Sequence, residues 1–543
     1  MAPNPKYFKS YDMKILQEIF LSRMRKSNNR NYLIAIGIVI VVIASAGVWY
    51  YTGIYLPQFK EERARLLTLY TEAAPADLDP ALAIDSDSYM IIANVFDGLT
   101  KYKRGTTEVE PCLATRWDIP DPTTYIFTLR EDVTFHDGAP FDANNVKYSF
   151  DRVIELAGPP SYLFDVINTT EVIDTYTIKV TLNYEFAPFP SILANPVASI
   201  VSPTAVEELG DDFNENPVGS GPFKFNDWSI GNELVLIANE EYFEDPPILE
   251  KIVFKSILEA SARKTAIELG EIDVVVSGRI LPAELPELEN NPDIRTYEGV
   301  GLSIEYLGFN MLRPPLNDSR VREAISYAID YDAIINDAMG GIAERIGGPI
   351  PSSIFSYKEL PKTQRDVSRA IQLLEDAGCA DGFDITLTYN IESVERRRVA
   401  EIIRNSLEEV GIIVSIKGLD WESSIDEYLE MGHELMLNNW FPDYFDPDSY
   451  LFPQFHSYSS APYGANIFGL EDAEIDALID EGLITTVLED RARIYGEAQE
   501  RIVEEMPCLF LYVPTEFDVV RFNVENWVYN PSQIIEFNEI YKQ

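Results

Sequence analysis

The chain contains little cysteine and little histidine, with three of each in 543 residues. The cysteines are far apart and odd in number, so the sequence implies neither a disulfide framework nor a cysteine metal site. They are Cys112, Cys379 and Cys508. We expect buried free thiols, because an unpaired cysteine behaves as a small apolar side chain. The three histidines do not stand at metal-ligand spacing from one another, so the sequence predicts no metal site.

Positive charge is scarce outside the N-terminus. The chain has 43 Lys and Arg against 89 Asp and Glu, and its formal net charge is −46. So acidic a body argues against nucleic acid and anionic membrane surfaces as its partners. Residues 1–31 are the exception, because they hold seven bases and two acids. The two parts of the chain are therefore predicted to face different environments.

The sequence lacks the short motifs of nucleotide binding and of common hydrolytic chemistry. It contains no GxxxxGK[ST], no GxSxG and no HExxH, the motifs of the phosphate loop, the nucleophile elbow and the zinc-peptidase helix. Carboxylate pairs suited to glycoside cleavage occur by chance among 89 acids, so a pair alone indicates little. We predict that the protein is not an enzyme and needs no cofactor.

One long apolar run stands out, YLIAIGIVIVVIASAGVWYY at residues 32–51. About 20 uncharged residues are enough for a helix to cross a bilayer, and an aromatic end is typical of the membrane interface. The bases before this run place residues 1–31 in the cytoplasm and the acidic body outside the cell. A cleaved signal peptide is the alternative, because Ala44-Ser45-Ala46 has the small-x-small form of a processing site. We favour the uncleaved anchor.

The rest of the chain contains a repeated succession of helix and strand patterns. Residues 394–410 carry apolar side chains at helical spacing, Gly411 is typical of a helix end, and residues 412–416 follow as a strand pattern. The same order of helix, glycine and strand recurs at 365–389. An apolar run at 66–70 opens the soluble body. These alternations predict an α/β fold.

The stretch ELMLNNWFPDYFDPDSYLF, at 434–452, combines aromatic residues, carboxylates and prolines. Its first apolar residues, 435–437, predict the end of a buried strand. Pro442 and Pro447 oppose a helix through the next ten residues and remove backbone donors. Asp443, Asp446 and Asp448 should therefore lie on an irregular loop of defined shape.

Asp443 is the candidate binding residue of this loop. Because it lies between Trp440 and Tyr444, its carboxylate is well placed to meet a cation in a partly desolvated cleft. Asp446 and Asp448 flank a proline, and we expect them to cap the backbone of a turn, as Asp commonly does.

Many blocks of the sequence, in order, resemble the solute-binding proteins of peptide ABC importers, the oligopeptide- and dipeptide-binding family. The resemblance covers about residues 66–520. The blocks are LDP (78–80), VFDGLTKY (95–102), VEPCLATRWDIP (109–120), YIFTLREDVTFHDGAPFDANNVKYSFDRV (125–153), NPVGSGPFKFNDW (216–228), LEKIVFKSILEASARKTAIELGEIDVV (249–275), YLGFNMLRPPLNDSRVREAISYAIDYDAII (306–335), AIQLLEDAGCADGFDITLTYN (370–390), LEEVGIIVSIKGLDW (407–421) and NWFPDYFDPDSYL (439–451).

The resemblance implies the two-lobed fold of periplasmic binding proteins, of type II and of the large peptide-binding cluster, behind an N-terminal transmembrane helix. The lobes of such a receptor close over an extended ligand that adds to the lobe edges as a strand. The expected segments are a basic cytoplasmic segment (1–31), the anchor (32–52), a spacer (53–65), a first lobe (66–276) with an inserted subdomain (about 85–205), a second lobe (277–508) and a C-terminal return to the first lobe (509–543).

The resemblance also implies roles for particular residues. Asp443 matches the family's acid in a Trp-x-x-Asp pattern that meets the ligand's α-ammonium, and Trp440 is expected to form a wall of the cleft. Segments that pair with the peptide main chain match residues 438–442 and 72–74, and a basic position of some relatives matches Arg313. The predicted ligand-binding residues are Glu72, Ala73, Ala74, Arg313, Asn439, Trp440, Phe441, Asp443 and Tyr444.

The chain departs from the resemblance at the other end of the ligand. Some members hold the peptide carboxylate with an arginine a few residues before the tryptophan, whereas this sequence has Leu437-Asn438-Asn439 there. Arg313 is equally compatible with a surface residue. The same fold in relatives also takes nickel complexes, oligosaccharides or other solutes. A tethered surface scaffold or sensor without a transporter is the second alternative.

The favoured reading is a membrane-anchored receptor on the outer side of the cell membrane. Its expected partners are a peptide ligand, the permease and ATPase subunits of an ABC importer, and the membrane that holds the N-terminal helix. No metal, cofactor or nucleic acid is expected among its partners.

Overall fold

A computed structural model describes residues 64–72, 74–276 and 280–543 of the chain. Residues 65–543 form one compact unit. Among the described residues, no helix is both long enough and apolar enough to cross a membrane. The predicted basic segment, the anchor at 32–52 and nearly all of the spacer lie outside the described residues.

Twenty strands are described. They are β1 (Leu66–Thr71), β2 (Thr100–Tyr102), β3 (Val109–Pro111), β4 (Ala114–Asp121), β5 (Thr124–Leu129), β6 (Ile167–Asp174), β7 (Thr177–Leu182), β8 (Phe223–Ser229), β9 (Glu233–Ala238), β10 (Lys251–Ser256), β11 (Val274–Val275), β12 (Ile294–Val300), β13 (Ile304–Phe309), β14 (Ala343–Glu344), β15 (Phe383–Asn390), β16 (Ile412–Leu419), β17 (Leu435–Trp440), β18 (Cys508–Arg521), β19 (Val524–Glu525) and β20 (Tyr541–Lys542).

The α-helices alternate with these strands. They are α1 (Ser86–Val95), α2 (Ala143–Leu156), α3 (Phe189–Ile192), α4 (Pro203–Leu209), α5 (Ala260–Leu269), α6 (Leu285–Glu289), α7 (Ser319–Ala328), α8 (Tyr331–Ala333), α9 (Val367–Asp376), α10 (Val394–Glu408), α11 (Trp421–Leu429), α12 (Asp448–Phe455), α13 (Ala473–Ile484) and α14 (Leu488–Glu505).

Local sequence signals account for many of these element boundaries. The side chain of Asp142 accepts hydrogen bonds from the first turn of α2, and Asn145 closes a capping box with it. The Ser393 side chain accepts a hydrogen bond from the Arg396 amide and so caps α10. Gly411 has a φ of +86°, a left-handed conformation that glycine adopts without steric penalty, and β16 begins directly after it. The predicted sequence of helix, glycine and strand is confirmed here.

The first lobe contains two four-stranded sheets. In one, β1 runs parallel to β10, and β9 and β8 continue the sheet in antiparallel order. The other has the order β4-β5-β7-β6 and is antiparallel throughout. Tyr125 and Phe127 of β5 are fully buried with Phe189 and Val146 in the core of this second sheet. The second sheet therefore has a core of its own inside the first lobe.

The largest sheet has the order β11-β18-β13-β17-β15-β16, and its strands β13, β17, β15 and β16 form the mixed sheet of the second lobe. Strand β15 is parallel to β16 and to β17, so the carboxyl ends of β15 and β17 lie at the same edge of the sheet. Helices α7, α9 and α10 pack on this sheet through buried residues such as Val321, Leu373 and Ile403. The loop that carries Asp443 begins at this carboxyl edge.

Two neighbouring segments connect the lobes. Strand β18 pairs with β13 through residues 508–512 and with β12 through residues 515–521. The chain between β12 and β13 runs beside it, and the Gly301 amide donates a 3.0 Å hydrogen bond to the Pro514 carbonyl. We call residues 299–304 and 512–516 the ribbon. The passage of the chain between the lobes at the ribbon does not test the predicted segment boundaries at 276 and 508, which stay predictions.

Candidate functional site

The loop from Phe441 to Pro447 has neither helix nor strand structure between β17 and α12, as its two prolines predict. Asp448, predicted on this loop as a backbone cap, is instead the first residue of α12, and its carboxylate accepts from the Tyr444 hydroxyl. The Asp443 amide donates to the Ser449 hydroxyl at 2.9 Å. The Asp443 carbonyl accepts a 3.0 Å hydrogen bond from the side-chain amide of Asn195 in the first lobe. Both backbone polar groups of Asp443 are therefore held, and this fixes the direction of its side chain.

Asp443 opens into a cavity of about 320 Å³. Both lobes and the C-terminal segment contribute to its walls. The lining residues are Ile84, Ser86, Tyr89, Pro159, Pro160, Tyr162, Leu163, Asn195, Phe441, Pro442, Asp443, Phe445, Ser532, Gln533 and Ile534. The volume is at the lower end of the range of small-molecule sites, about 300–1,000 Å³. Among the described residues of this lining, Asp443 has the one acidic or basic side chain.

The environment of Asp443 opposes its charge. Its side chain is accessible to solvent but lies among cavity walls, and the resulting loss of hydration raises its pKa. The Tyr162 phenol, within hydrogen-bonding reach, acts in the opposite direction by stabilising the carboxylate. Burial and the nearby Asp443 charge raise the pKa of Tyr89 to about 12, and the pKa of Tyr162 is raised by the same causes. The site is thus a carboxylate between two neutral phenols. A bound cation would compensate the carboxylate for the free energy that it loses with its hydration.

The neighbours of Asp443 differ in where they point. Phe441 is 46% exposed and lines the cavity. Tyr444 instead donates its phenolic hydrogen to Asp448 at 2.5 Å, and its ring packs against Phe186 with 6.2 Å between centroids. Tyr444 is therefore placed in the contact between the second-lobe loop and the first-lobe core, away from the cavity lining.

Trp440 and Asn439 lie at the end of β17. The Trp440 indole donates to the Ser449 carbonyl at 2.7 Å, and its ring packs on the second-lobe core. The Asn439 side chain donates to the Ser303 hydroxyl at 2.9 Å and accepts from Arg396. Neither residue is in the cavity lining, so in this structure they support the loop, and the predicted wall role of Trp440 stays a prediction.

The remaining predicted residues lie elsewhere. The Glu72 amide donates to Asp87 at 2.9 Å, and its carboxylate pairs with Arg263 at 3.0 Å. Arg313 donates to the Met431 carbonyl at 2.9 Å, which fits its reading as a surface residue. Ala73 lies outside the described residues, and neither its neighbour Ala74 nor Glu72 is in the cavity lining. The structure does not bring these residues to Asp443.

A buried ion pair beneath the loop was not predicted from the sequence. Arg491 of α14 donates to both carboxylate oxygens of Asp446 at 2.7 and 2.8 Å, with side-chain exposures of 4% and 8%. Asp446 also accepts from the Asp448 amide at 3.0 Å. The predicted turn-capping role of Asp446 is therefore correct but incomplete, because the same carboxylate ties the loop to a helix. Arg491 lies 45 residues further along the chain, and no local pattern marks it as a partner.

The tyrosines and the C-terminal residues of the lining were also not predicted. Tyr162 follows two prolines in a short helical turn, and Gln533 lies ten residues from the C-terminus. Their sequence neighbourhoods carry no binding motif. Among the described residues, no cluster of three or more His, Cys, Asp or Glu could hold a metal ion.

Two α/β lobes joined by a narrow ribbon, with a cavity that draws its walls from both, define a two-lobed binding protein of the periplasmic type. The chain belongs to the bacterial extracellular solute-binding proteins, family 5, whose family model matches residues 108–462. It is accordingly a solute-binding protein and not an enzyme.

Relatives cover nearly the whole body of the chain. The probable D,D-dipeptide-binding periplasmic protein DdpA of Escherichia coli is 29% identical over 490 residues, which span 88% of this chain and 94% of the relative. The structure of HbpA2 from Haemophilus parasuis has 26% identity and a TM-score of 0.83, and covers 88% of this chain and 99% of that one. DppA from Helicobacter pylori, solved with the peptide STSA, has 30% identity and a TM-score of 0.71, and covers 89% and 99%.

Proposed function

We propose that the chain is the membrane-anchored extracellular receptor of an ABC importer, and that it captures peptides through a free amino terminus and delivers them to the permease. The observation that carries this proposal is the Asp443 carboxylate, whose hydration is reduced in a cavity of about 320 Å³. An α-ammonium group supplies the charge and the hydrogen-bond donors that such a carboxylate needs.

The relatives support peptides as the ligand class. DdpA is named as a probable D,D-dipeptide-binding protein, and the Helicobacter pylori relative was solved with a bound peptide. A solved relative from Brucella suis, NikA, holds Fe(III)-EDTA, which is an anionic chelate. An anion is a poor match for Asp443, because like charges repel strongly where hydration is reduced. A neutral oligosaccharide would leave the carboxylate without a counter-charge.

A ligand screen tests this proposal. The full-length protein in detergent would be heated with peptides, N-acetylated peptides, oligosaccharides and metal chelates. A ligand present at 100 times its Kd should add about 2.7 kcal/mol to the free energy of unfolding. We expect stabilisation by peptides with a free amino terminus and little by their acetylated forms. Stabilisation by a sugar or a chelate but by no peptide would contradict the proposal.

The membrane anchor rests on residues 32–51 and on the excess of bases in residues 1–31. We expect the protein to stay in the membrane fraction after an alkaline wash, because a spanning helix is held by the hydrophobic effect and not by charge. Residues 1–31 should be protected from protease added outside the cell. Recovery of a mature chain that begins near Gly47 would show a cleaved signal peptide instead.

A further inference from the structure

Gln533 lies both in the cavity lining and next to the ribbon between the lobes. Its φ of +58° lies in the left-handed region, which is uncommon for a residue with a side chain. Such conformations persist when surrounding contacts hold them, and they are frequent at ligand sites. Its side-chain amide donates a 3.2 Å hydrogen bond to a carboxylate oxygen of Glu516.

Glu516 belongs to the ribbon. It lies on β18 directly opposite Gly299 of β12, two residues beyond Pro514. The Tyr529 phenol lies 3.4 Å from the Glu516 carboxylate and 3.3 Å from the Val300 carbonyl, so it contacts both strands of the ribbon.

The Tyr529 ring rests directly on the ribbon backbone. A Cβ atom added to Gly299 would lie 2.0 Å from that ring, so the close approach requires glycine at this position. Burial, together with the nearby charge of Glu516, raises the pKa of Tyr529 and keeps its hydroxyl a donor. The ribbon is thus held by a phenol from the same C-terminal segment that lines the cavity.

The C-terminal segment itself is held in the first lobe. Asn94 of α1 donates to the Ile535 carbonyl at 2.7 Å and accepts from the Phe537 amide at 3.0 Å. Asn530 donates to the Ile534 carbonyl at 2.7 Å, which closes the turn that contains Gln533. The C-terminal segment is therefore fixed to the first lobe by hydrogen bonds, and it also forms part of the cavity wall. Within that wall, Gln533 is the residue whose side chain reaches the ribbon.

We propose that Gln533 and Glu516 couple the ligand cavity to the inter-lobe ribbon, so that a ligand in contact with the turn at 532–534 favours one lobe arrangement over another. This inference rests on the proposed function, because it takes the Asp443 cavity as the ligand site. Glu516 is a positioning residue in this scheme, since it acts on the ligand through Gln533. A ligand shifts such an equilibrium only through different contacts with the two states, and the Gln533 turn supplies a contact that depends on the ribbon.

A double-mutant cycle on peptide affinity tests the coupling. Glu516→Leu removes the acceptor, and Gln533→Ala removes the donor. We expect each variant to weaken peptide binding about 10-fold and the double variant also about 10-fold, instead of the about 100-fold expected for independent residues. Glu516→Gln, which keeps an acceptor oxygen, should retain near-normal affinity. Glu505→Gln, which alters a carboxylate paired with Arg501 on α14, is the matched control.

Inter-lobe distances give a second readout that needs no ligand. Spin labels at Glu208→Cys and Glu408→Cys, in a Cys379→Ser background of the full-length protein, report the distance between the lobes. We expect Glu516→Leu to change the distance distribution of the unliganded protein. Tyr529→Phe, which removes only a hydroxyl, should change it in the same direction if Glu516→Leu does not fold.

Two results would overturn the coupling. The first is a loss of affinity in the double variant that equals the product of the losses in the two single variants. The second is a distance distribution that does not change in the variants. If the wild-type protein binds no peptide, the proposed function fails, while the distance measurement still decides whether Gln533 and Glu516 act on the ribbon. The two failures are therefore distinguishable.

Discussion

At the scale of single residues, the site depends on one carboxylate in an unfavourable environment. The pKa of Asp443 is raised by loss of hydration, and the Tyr162 phenol offsets only part of this effect. A charged group with reduced hydration is typical of binding sites, because a bound ligand can supply the counter-charge and the hydrogen bonds that the protein does not provide. The two prolines of its loop and the contacts from Asn195 and Ser449 keep its position defined.

Asp443→Asn keeps the shape of the side chain and removes its charge. We expect this variant to bind free-amine peptides more weakly by about 2–5 kcal/mol, the range for the loss of one partner of a buried charge pair. N-acetylated peptides should lose little. Calorimetry with one peptide in both forms measures the difference, and Asp118→Asn, which alters an exposed carboxylate on β4, serves as the control. Equal affinity of wild type and variant for the free peptide would exclude Asp443 as the amine partner.

At the scale of elements, helix α14 holds the loop of Asp443 through Arg491. The pair of Arg491 and Asp446 is almost completely buried, and its two hydrogen bonds run in parallel. Burying such a pair costs desolvation, but removing one partner leaves the other charge without compensation. The turn at Asp446 is thereby anchored to a helix whose outer face is in solvent.

Arg491→Met should lower the free energy of unfolding by about 3–5 kcal/mol, because Asp446 then remains buried without a counter-charge. Arg493→Met is the matched control, since Arg493 lies on the same helix, is 56% exposed and pairs with Glu497. Exposed pairs contribute about 0–1 kcal/mol. Urea denaturation followed by tryptophan fluorescence compares the two variants. A similar loss in both would show that the buried pair does not hold the loop.

Asp448, the first residue of α12 directly after this loop, predicts a pH dependence of stability. Burial first of all, together with the charges of Asp446 and Asp480, raises its pKa from 3.8 to about 7, against the lowering effects of the Tyr444 hydroxyl and Arg491. Since the folded pKa exceeds the unfolded one, the folded chain binds the extra proton. The stabilising contribution is complete below about pH 4 and is lost as the pH rises through about 7.

Asp448→Asn removes this titration, so its unfolding free energy should fall less between pH 4 and 8 than that of the wild type. A shift from 3.8 to about 7 corresponds to a difference of up to about 4 kcal/mol. Urea denaturation at a series of pH values measures both slopes. Identical slopes would mean that Asp448 titrates normally in the folded chain.

At the scale of the whole molecule, residues 65–543 form a compact unit with its own cores. The elements of both lobes and the C-terminal segment lie within this unit. The whole chain carries a net charge of −46, and a net charge far from zero favours solubility. The folding of this unit is thus expected to be independent of the proposed anchor.

Deletion of residues 1–60 should therefore give a soluble, folded protein without detergent. Circular dichroism checks that the shortened chain is folded, and size-exclusion chromatography checks that it elutes as a monomer. Its peptide affinity should equal that of the full-length protein, since the cavity lining begins at Ile84. Aggregation of the shortened chain under conditions where the full-length protein is folded would contradict this boundary.

The sequence by itself determined what depends on neighbouring residues and on overall composition. The helix at 394–408, its end near Gly411 and the strand that follows are set by periodicity and backbone torsions. The irregular loop around Asp443 follows from its prolines. The succession of blocks along the chain indicated the family of solute-binding proteins.

Only the tertiary structure decided which residues share the cavity with Asp443. Tyr89 and Tyr162 come from the first lobe and Gln533 from the C-terminal segment, at separations that no local pattern encodes. Arg491 reaches Asp446 only because α14 packs under the loop. Side-chain burial and the pKa shifts that follow from it are properties of this packing. They depend on which surfaces, distant in sequence, pack against one another and exclude water. The periodicity of the sequence does not reveal which surfaces these are.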